Sequence, residues 1–336
     1  MYKRQVLITA PIPDPLLERI AAASADVVIE RDTLPKEGWP EGRVNEAEVH
    51  YTTDRILRPE QAPNLRWVQS HWAGINNLID TPLWQSDLLL TTTSGIHAPN
   101  MGQYVLAQML AWANRVPRWL RAQSESNWPQ GRREAFTPDE LAGRTLGIIG
   151  YGSIGREVAR LARAFNMTIL VTKRDARRVA DTGYTLPGFG DPAGELPTRI
   201  YPAEALRSVV GQCDYVVITL PLTPRTRHLF DESVFQAMKP NAYVINVGRG
   251  PVIDERALIR ALQRGWIAGA GLDVFEMEPL PADSPLWDMQ NVIVTPHVSG
   301  MTAHYDERAV NLFVANLRRY LAGETLINLV DREEGY

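Results

Sequence analysis

The sequence predicts an α/β protein built from two doubly wound parallel-sheet domains. Short apolar runs, typical of buried parallel strands, alternate with helical patterns along most of the chain. A glycine pattern, GIIGYGSIG at 147–155, follows one of these strands and opens a helix. The chain has 336 residues, which is long enough for two domains with separate cores.

The first domain begins with a predicted strand at 4–9 and a predicted helix at 13–24. Three further strand-like runs follow, at 47–51, 65–70 and 88–93. Apolar residues then recur at helical spacing, and we predict one long helix over 97–120. Residues 121–142 are polar and interrupted by proline and glycine, which indicates a connector or arm.

A more regular series begins at Arg144. The predicted strands are 145–150, 167–172, 215–222, 242–247, 269–275 and 291–296. The predicted helices are 153–166, 203–211, 231–237, 254–264 and 302–322. Residues 175–200 lack clear periodicity and indicate a long loop. We expect the helix at 302–322 to fold back onto the first domain.

Composition excludes several classes of function. A net charge of −4 argues against nucleic acid as the main partner. The single cysteine, Cys213, excludes an intrachain disulfide and a cysteine-based metal cluster, and no His, Asp and Glu set has metal-site spacing. No apolar stretch reaches about 18 residues, and the N-terminal apolar run is too short for a signal peptide. We therefore expect a cytoplasmic protein without a metal or a membrane span.

Gly150, Gly152 and Gly155 form the G-x-G-x-x-G pattern of a dinucleotide-binding loop. The first glycine permits a tight turn, the second lets the backbone approach a pyrophosphate, and the third lets helix and strand pack closely. The N-terminus of the helix then supplies free N–H groups and positive potential. The alternative is a glycine-rich turn that binds no ligand.

The next predicted strand ends in Thr172, Lys173 and Arg174, where an NAD-specific domain usually places Asp or Glu. A carboxylate there would repel a 2′-phosphate, whereas lysine and arginine can pair with it, and the threonine can add a hydroxyl donor. This favours NADPH as the preferred cofactor, with NADH also possible. The alternative is a solvated basic turn on an NAD enzyme.

Three later segments contain the residues that suggest a reaction: Arg249 in NVGRGPVIDE, Glu278 in AGLDVFEMEPL and His297 in NVIVTPHVSG. An arginine can bind a carboxylate with two parallel hydrogen bonds. A histidine held by a carboxylate can transfer a proton near neutral pH. With a nicotinamide, these groups suffice to interconvert a 2-keto acid and a 2-hydroxy acid. Taken singly, the arginine and glutamate are better explained as a structural ion pair, and the histidine as a satisfied residue at a strand end. Taken together, the three residues favour the catalytic interpretation.

These motifs, together with AGINNLID (73–80), LPLTPRTRHLF and TPHVSG, occur in an order and spacing that resemble the D-isomer-specific 2-hydroxyacid dehydrogenases over nearly the whole chain. The basic strand end is most similar to the NADPH-dependent glyoxylate/hydroxypyruvate reductase branch. The resemblance implies a Rossmann-type nucleotide domain and a flavodoxin-like substrate domain, with an active-site cleft between them. It places the substrate domain at 1–98 plus 302–336 and the NAD(P)-binding domain at 99–301.

The resemblance also implies roles for individual residues. Arg249 anchors the substrate carboxylate and polarises the keto oxygen. His297 protonates that oxygen during reduction and is the base in the reverse direction. Glu278 orients the imidazole and favours its charged form. Glu276 competes for that role, but Glu278 is preferred because it precedes Pro279, as the family's acid precedes a proline.

Other implied roles concern substrate and cofactor contacts. The backbone near Ala73 and Gly74 receives the substrate carboxylate, Trp72 lines the pocket, and Asp273 meets the nicotinamide end of the cofactor. The remaining implied cofactor-binding residues are Ser153, Ile154, Pro221, Val247, Gly248, Ser299 and Gly300. Family members are commonly dimers, and the segment 118–142, with Trp119 and Trp128, is the expected dimerisation arm of a homodimer.

Two alternatives remain open from the sequence. One is an NAD-dependent dehydrogenase of another D-2-hydroxy acid. The other is a nucleotide-sensing, co-repressor-like binding protein, since some members of this fold regulate transcription. Retention of the arginine, glutamate and histidine argues against the second. The leading hypothesis is reduction of a small 2-keto acid to the D-2-hydroxy acid with NADPH.

Overall fold

The structure of the chain is a computed structural model that describes residues 3–32, 44–53, 57 and 59–335. The chain divides into two compact units, Met1–Ile96 with Thr302–Tyr336, and His97–Met301. The α-helices are α1 (Asp14–Ala21), α2 (Ala98–Ala113), α3 (Val116–Ser124), α4 (Arg132–Phe136), α5 (Ser153–Ala164), α6 (Leu206–Val210), α7 (Glu232–Ala237), α8 (Glu255–Arg264) and α9 (Tyr305–Leu321). Among the helices of the described residues, none has the length and apolar character needed to cross a membrane.

The first unit contains a five-stranded parallel sheet. Its strands are β1 (Arg4–Ile8), β2 (Val27–Arg31), β3 (Ala47–Thr52), β4 (Trp67–Ser70) and β5 (Leu89–Thr91). They are arranged in the order β2-β1-β3-β4-β5, which is the flavodoxin-like doubly wound order. One face packs on α9, where Tyr51 of β3 stacks on Phe313 with ring centroids 4.5 Å apart. The helix near the C-terminus therefore completes the core of the unit that contains the N-terminus.

The second unit contains a seven-stranded parallel sheet. Its strands are β6 (Thr145–Ile149), β7 (Thr168–Lys173), β8 (Arg199–Pro202), β9 (Tyr215–Ile218), β10 (Tyr243–Asn246), β11 (Gly269–Leu272) and β12 (Val292–Val294). Their order is β12-β11-β10-β9-β6-β7-β8. The chain order reverses between β6 and β9, and ligands of doubly wound sheets bind at the carboxyl ends of the strands at such a point. The predicted fold class is confirmed in both units.

Both faces of the second sheet are buried. Val216 and Ile218 of β9 join a cluster that contains residues of α6, α7 and α8, and Tyr215 and Val217 join the cluster on the opposite face with α2 and α5. A sheet covered on both faces explains why its strands read as nearly continuous apolar runs. Because both faces are apolar, polar groups are expected at the carboxyl ends of these strands and in the loops that follow them.

Two strands were not predicted from the sequence, and one predicted helix is in fact two helices. Strands β2 and β8 lie at sheet edges, and Val27 is the single buried residue among the two, so neither shows a strong apolar run. The predicted helix at 97–120 is wrong, because it is broken between α2 and α3. Arg115 adopts a left-handed backbone conformation with φ of 59°, and Pro117 lies in the first turn of α3. A left-handed residue cannot continue an α-helix, and a proline is well accommodated at a helix start.

Candidate active site

The glycine loop joins β6 to α5. Gly150 has φ of +99°, a conformation that side-chain-bearing residues rarely adopt, and a Cβ at Gly155 would lie 2.4 Å from the Gly150 carbonyl oxygen. At Gly152 an added Cβ would meet no heavy atom of the described chain within 4 Å. Gly152 also has no side chain to cap α5, so the first amides of the helix remain for an anion. The loop fits the pyrophosphate of a dinucleotide.

Thr219, which follows β9, supports this loop and was missed in the sequence analysis. Its hydroxyl donates to the Gly150 carbonyl over 2.8 Å. The amide of Gly150 in turn donates to the carbonyl of Thr172 over 3.0 Å. The glycine loop is therefore held from the strands on either side of β6. Ser153 and Ile154, predicted to contact the cofactor, form the partly exposed start of α5.

The basic residues at the end of β7 differ in their surroundings. Thr172 is buried, Lys173 is half-buried and Arg174 is exposed. The Lys173 ammonium donates to the carbonyl of Arg178, and burial, followed by the charge of Arg156, lowers its pKa. Lys173, the last residue of β7, and Arg174, the next residue, therefore place two cationic groups at the carboxyl end of the strand.

Asp273 lies directly after β11 and is fully buried. Its carboxylate accepts hydrogen bonds from the Thr295 hydroxyl at 2.6 Å and from the Val298 and Ser299 amides at 2.9 Å each. The backbone amide of His297 donates to the Asp273 carbonyl over 2.9 Å. The family resemblance predicts that this carboxylate meets the nicotinamide end of the cofactor. In the structure it holds the loop that carries His297.

His297 and Glu278 form a hydrogen-bonded pair, with 2.7 Å between Nδ1 and Oε2. Half of the His297 side chain is exposed, and its backbone has φ of 53°. Left-handed backbone at a residue other than glycine is uncommon and concentrates at functional sites. The other oxygen of Glu278 accepts from the Phe275 amide over 3.0 Å, so the carboxylate is fixed on both sides. The imidazole keeps Nε2 for a ligand.

Glu276 does not compete for His297, because it pairs with a different histidine. Its Oε1 lies 2.6 Å from Nε2 of His228. Glu276 and Glu255 also exchange backbone-to-carboxylate hydrogen bonds. The two glutamates of the segment Glu276–Glu278 thus pair with two different histidines.

Arg249 follows β10 in a braced loop. Asn246, buried at the end of that strand, accepts from the Gly248 amide and donates to the Arg249 carbonyl. A Cβ at Gly250 would lie 1.8 Å from the Phe275 carbonyl oxygen, so glycine lets this loop pack against the segment that carries Glu278. Burial lowers the pKa of Arg249, and the charge of Glu278 partly opposes that shift.

Three motifs distant in sequence therefore meet around Glu278. Its carboxylate is bonded to His297, and the segment that carries it packs against the loop of Arg249 at Gly250 and Phe275. The arrangement offers a cation for a carboxylate or a polarised carbonyl, beside an imidazole that can transfer a proton. Within the described chain, no group of three His, Cys, Asp or Glu residues is arranged to hold a metal ion.

Residues 106–299 match the family model for the D-isomer specific 2-hydroxyacid dehydrogenase, NAD binding domain. The chain belongs to the D-isomer specific 2-hydroxyacid dehydrogenase family. It is 33% identical over 345 residues to a glyoxylate reductase of Korarchaeum cryptofilum, with 98% of this chain and 97% of the relative covered. This 2-hydroxyacid dehydrogenase is therefore an oxidoreductase that uses a nicotinamide cofactor.

Two solved structures resemble this dehydrogenase over its whole length. A D-isomer specific 2-hydroxyacid dehydrogenase from Xanthobacter autotrophicus Py2, in complex with NADPH and MES, has a TM-score of 0.80 at 31% identity and covers 100% of both chains. An NADPH-dependent glyoxylate/hydroxypyruvate reductase from Sinorhizobium meliloti, in complex with NADP and sulfate, has a TM-score of 0.77 at 26% identity, with 99% of this chain and 100% of that chain covered.

The other predicted cofactor-binding residues of the dehydrogenase lie in the loops after its strands. A Cβ at Gly248 would lie 2.6 Å from the Leu220 carbonyl oxygen, so the loops that contain Pro221 and Val247 are in contact. Ser299 is buried, and its carbonyl accepts from Asn100 over 2.7 Å. A Cβ at Gly300 would lie 3.3 Å from the ring of His97. Their contacts with a cofactor remain predictions.

Trp72, Ala73 and Gly74 belong to the first unit. The Trp72 ring is 40% exposed, and its edge contacts His71 and Tyr305, with centroids 5.3 Å and 5.6 Å apart. Ala73 and Gly74 are half-exposed. Their roles in substrate binding also remain predictions.

Proposed function

We propose that this dehydrogenase reduces small 2-keto acids of the glyoxylate and hydroxypyruvate type to D-2-hydroxy acids, with NADPH as the preferred reductant. The observation that carries the proposal is the hydrogen bond between His297 and Glu278, in a segment that packs against the loop of Arg249. The glyoxylate reductase of Korarchaeum cryptofilum supports the substrate class.

In this proposal each residue acts on a defined part of the substrate. Arg249 binds the carboxylate through two N–H groups and draws electron density from the keto oxygen. His297 donates its Nε2 proton to that oxygen as the carbonyl is reduced. Glu278 accepts from Nδ1 and so fixes which nitrogen faces the substrate. The nicotinamide ring, when bound, supplies the hydride.

The cofactor preference rests on the basic end of β7. Lys173 and Arg174 stand where NAD-specific domains usually carry an acidic residue. The relative from Xanthobacter autotrophicus was solved with NADPH, and the enzyme from Sinorhizobium meliloti is NADPH-dependent. Both relatives support NADPH as the cofactor, and in this proposal the two cations pair with its 2′-phosphate.

Steady-state kinetics with both cofactors test the proposal. We expect kcat/KM to be at least about tenfold higher with NADPH than with NADH, which corresponds to about 1.4 kcal/mol. The double variant Lys173→Asp/Arg174→Ala should reverse the order, because the new carboxylate repels the phosphate and can accept from the ribose hydroxyl of NADH. Arg163→Ala, which removes an exposed cation at the far end of α5, is the control and should leave the ratio unchanged.

A substrate panel completes this test. Glyoxylate, hydroxypyruvate and pyruvate should be reduced, with consumption of NADPH followed by its absorbance. Equal use of the two cofactors by the wild type would contradict the NADPH preference while leaving the reaction class intact. Absence of turnover with all three keto acids would contradict the proposed substrate class.

We also propose that the enzyme is a homodimer that associates through the segment 118–142. Trp119 is 43% exposed, Leu120 is 50% exposed and Trp128 is 79% exposed. Large apolar side chains that are exposed in the monomer are buried when such a segment forms an interface. Analytical ultracentrifugation should find a dimer that the double variant Trp119→Ala/Trp128→Ala weakens. A monomeric wild type would contradict the proposal.

A further inference from the structure

The loop between β7 and β8 is anchored by a buried arginine of the nucleotide-binding helix. Arg156, the fourth residue of α5, is 1% exposed. Its guanidinium donates to the carbonyl of Val179 over 2.6 Å and to the carbonyl of Asp191. Its Nε lies 3.4 Å from a carboxylate oxygen of Asp181. One side chain thus ties three points of the loop to the helix.

Tyr151 adds a second link at the same place. This residue stands between the first two glycines of the phosphate loop and is buried, with the Arg156 guanidinium 4.6 Å from its ring centroid. Its hydroxyl donates to Asp191 over 2.6 Å. Asp191 also accepts from the amides of the segment 194–196 at 3.0 to 3.1 Å. The phosphate loop and the β7–β8 loop therefore share one hydrogen-bonded network.

The anchored segment ends the basic turn that begins at Lys173. Lys173 donates to the carbonyl of Arg178, and the amide of Arg177 donates to the side chain of Asp175 over 3.0 Å. The next residue, Val179, is the one whose carbonyl Arg156 holds. A shift of Val179 would therefore move the acceptor that orients Lys173.

We propose that Arg156 is a positioning residue for recognition of the 2′-phosphate of NADPH, acting through the backbone of residues 178–181. This inference rests on the proposed cofactor preference. The guanidinium is buried, so it acts by fixing the turn that presents Lys173 and Arg174. When this turn is already ordered in the free protein, cofactor binding does not include the entropic cost of ordering the turn. Binding is therefore stronger without a new contact.

The variant Arg156→Lys tests this inference, because an ammonium keeps the charge but cannot reach several acceptors as a planar fork. We expect KM for NADPH to rise by about tenfold or more, while KM for NADH and kcat with NADH change by less than about twofold. Arg163→Lys on the same helix is the matched control and should change neither. If Arg156→Lys does not fold, Asp181→Asn, which neutralises a partner that is 19% exposed, gives the same readout.

A double-mutant cycle separates positioning from general destabilisation. In the Lys173→Ala/Arg174→Ala background, Arg156→Lys should have no further effect on KM for NADPH, because the groups it positions are gone. An equal rise in KM for both cofactors, or the same rise in that background, would overturn the inference. A wild type without NADPH preference would refute only the proposed cofactor preference. A selective rise in KM for NADPH in Arg156→Lys would still support the positioning role of Arg156.

Discussion

Asp273 gives the sharpest test of how this site is built. Its carboxylate is fully buried and accepts three hydrogen bonds, from the Thr295 hydroxyl and from the Val298 and Ser299 amides. Asp273→Asn keeps the shape but turns an –NH₂ group towards at least one of these donors. A hydrogen bond to a charged group contributes about 1.5–3 kcal/mol, so one lost bond with a facing donor should cost about 3 kcal/mol. The loop that carries His297 should then shift.

The expected effect on catalysis follows from that shift. A displacement of about 1 Å at a reacting group can lower the rate about 10²-fold. We therefore expect kcat to fall by about two orders of magnitude while the dissociation constant of the cofactor changes little. Stopped-flow single turnovers and fluorescence titration with NADPH measure the two quantities separately. Asp283→Asn, at an exposed carboxylate, is the control.

Two results would refute this reasoning. Unchanged kcat in Asp273→Asn would mean that the carboxylate does not hold the His297 loop in its working position. Weaker cofactor binding with unchanged kcat would mean that Asp273 acts mainly on the nicotinamide end of the cofactor, as the sequence analysis predicted. Hydrogen exchange at the amides of Val298 and Ser299 should rise only in the first mechanism, because those amides lose their acceptor.

Three further predictions concern single residues. His297→Ala should lower kcat about 10²–10⁴-fold and leave cofactor affinity intact, because only the proton transfer is removed; retained turnover would contradict its role. Arg249→Lys should raise KM for the keto acid and lower kcat, because an ammonium cannot form the bidentate pair, and full activity of Arg249→Ala on glyoxylate would contradict the anchor. Burial lowers the pKa of His71, and the charge of Asp306 partly opposes that shift. As the pH falls below 6.5, His71 is therefore protonated first in the unfolded chain, and the free energy of unfolding should decrease. His71→Gln should flatten that decline in thermal unfolding scans between about pH 7.5 and about pH 5.5, and an unchanged slope would exclude His71 as its source.

Much of the fold is readable from the sequence because the second sheet is covered on both faces. Its central strands are fully buried, and such strands form apolar runs that flanking polar segments delimit. Edge strands are harder, since β2 and β8 gain their stability from pairing on one side and show no such run. The break at Arg115 was missed because a left-handed residue other than glycine has no strong local signature, although Pro117 within the predicted helix was a signal of a helix start.

Sequence alone determined which residues are proposed to carry the chemistry, because Arg249, Glu278 and His297 lie in motifs whose composition and order resemble those of the family. It also determined the glycine loop, since Gly150 and Gly155 occupy positions where a side chain would be strained or would clash. These are requirements on the residue type at single positions, and such requirements are visible in the sequence.

Only the tertiary structure decided which side chains form hydrogen-bonded pairs. Glu278 pairs with His297 and Glu276 pairs with His228, although the two glutamates are separated by a single residue. The tertiary structure also engaged the carboxylate of Asp273 with the His297 loop and buried Arg156 beneath the basic turn. Hydrogen-bond partners depend on distances between loops that are far apart in the sequence, and those distances are set when the sheet brings the carboxyl ends of its strands to one edge.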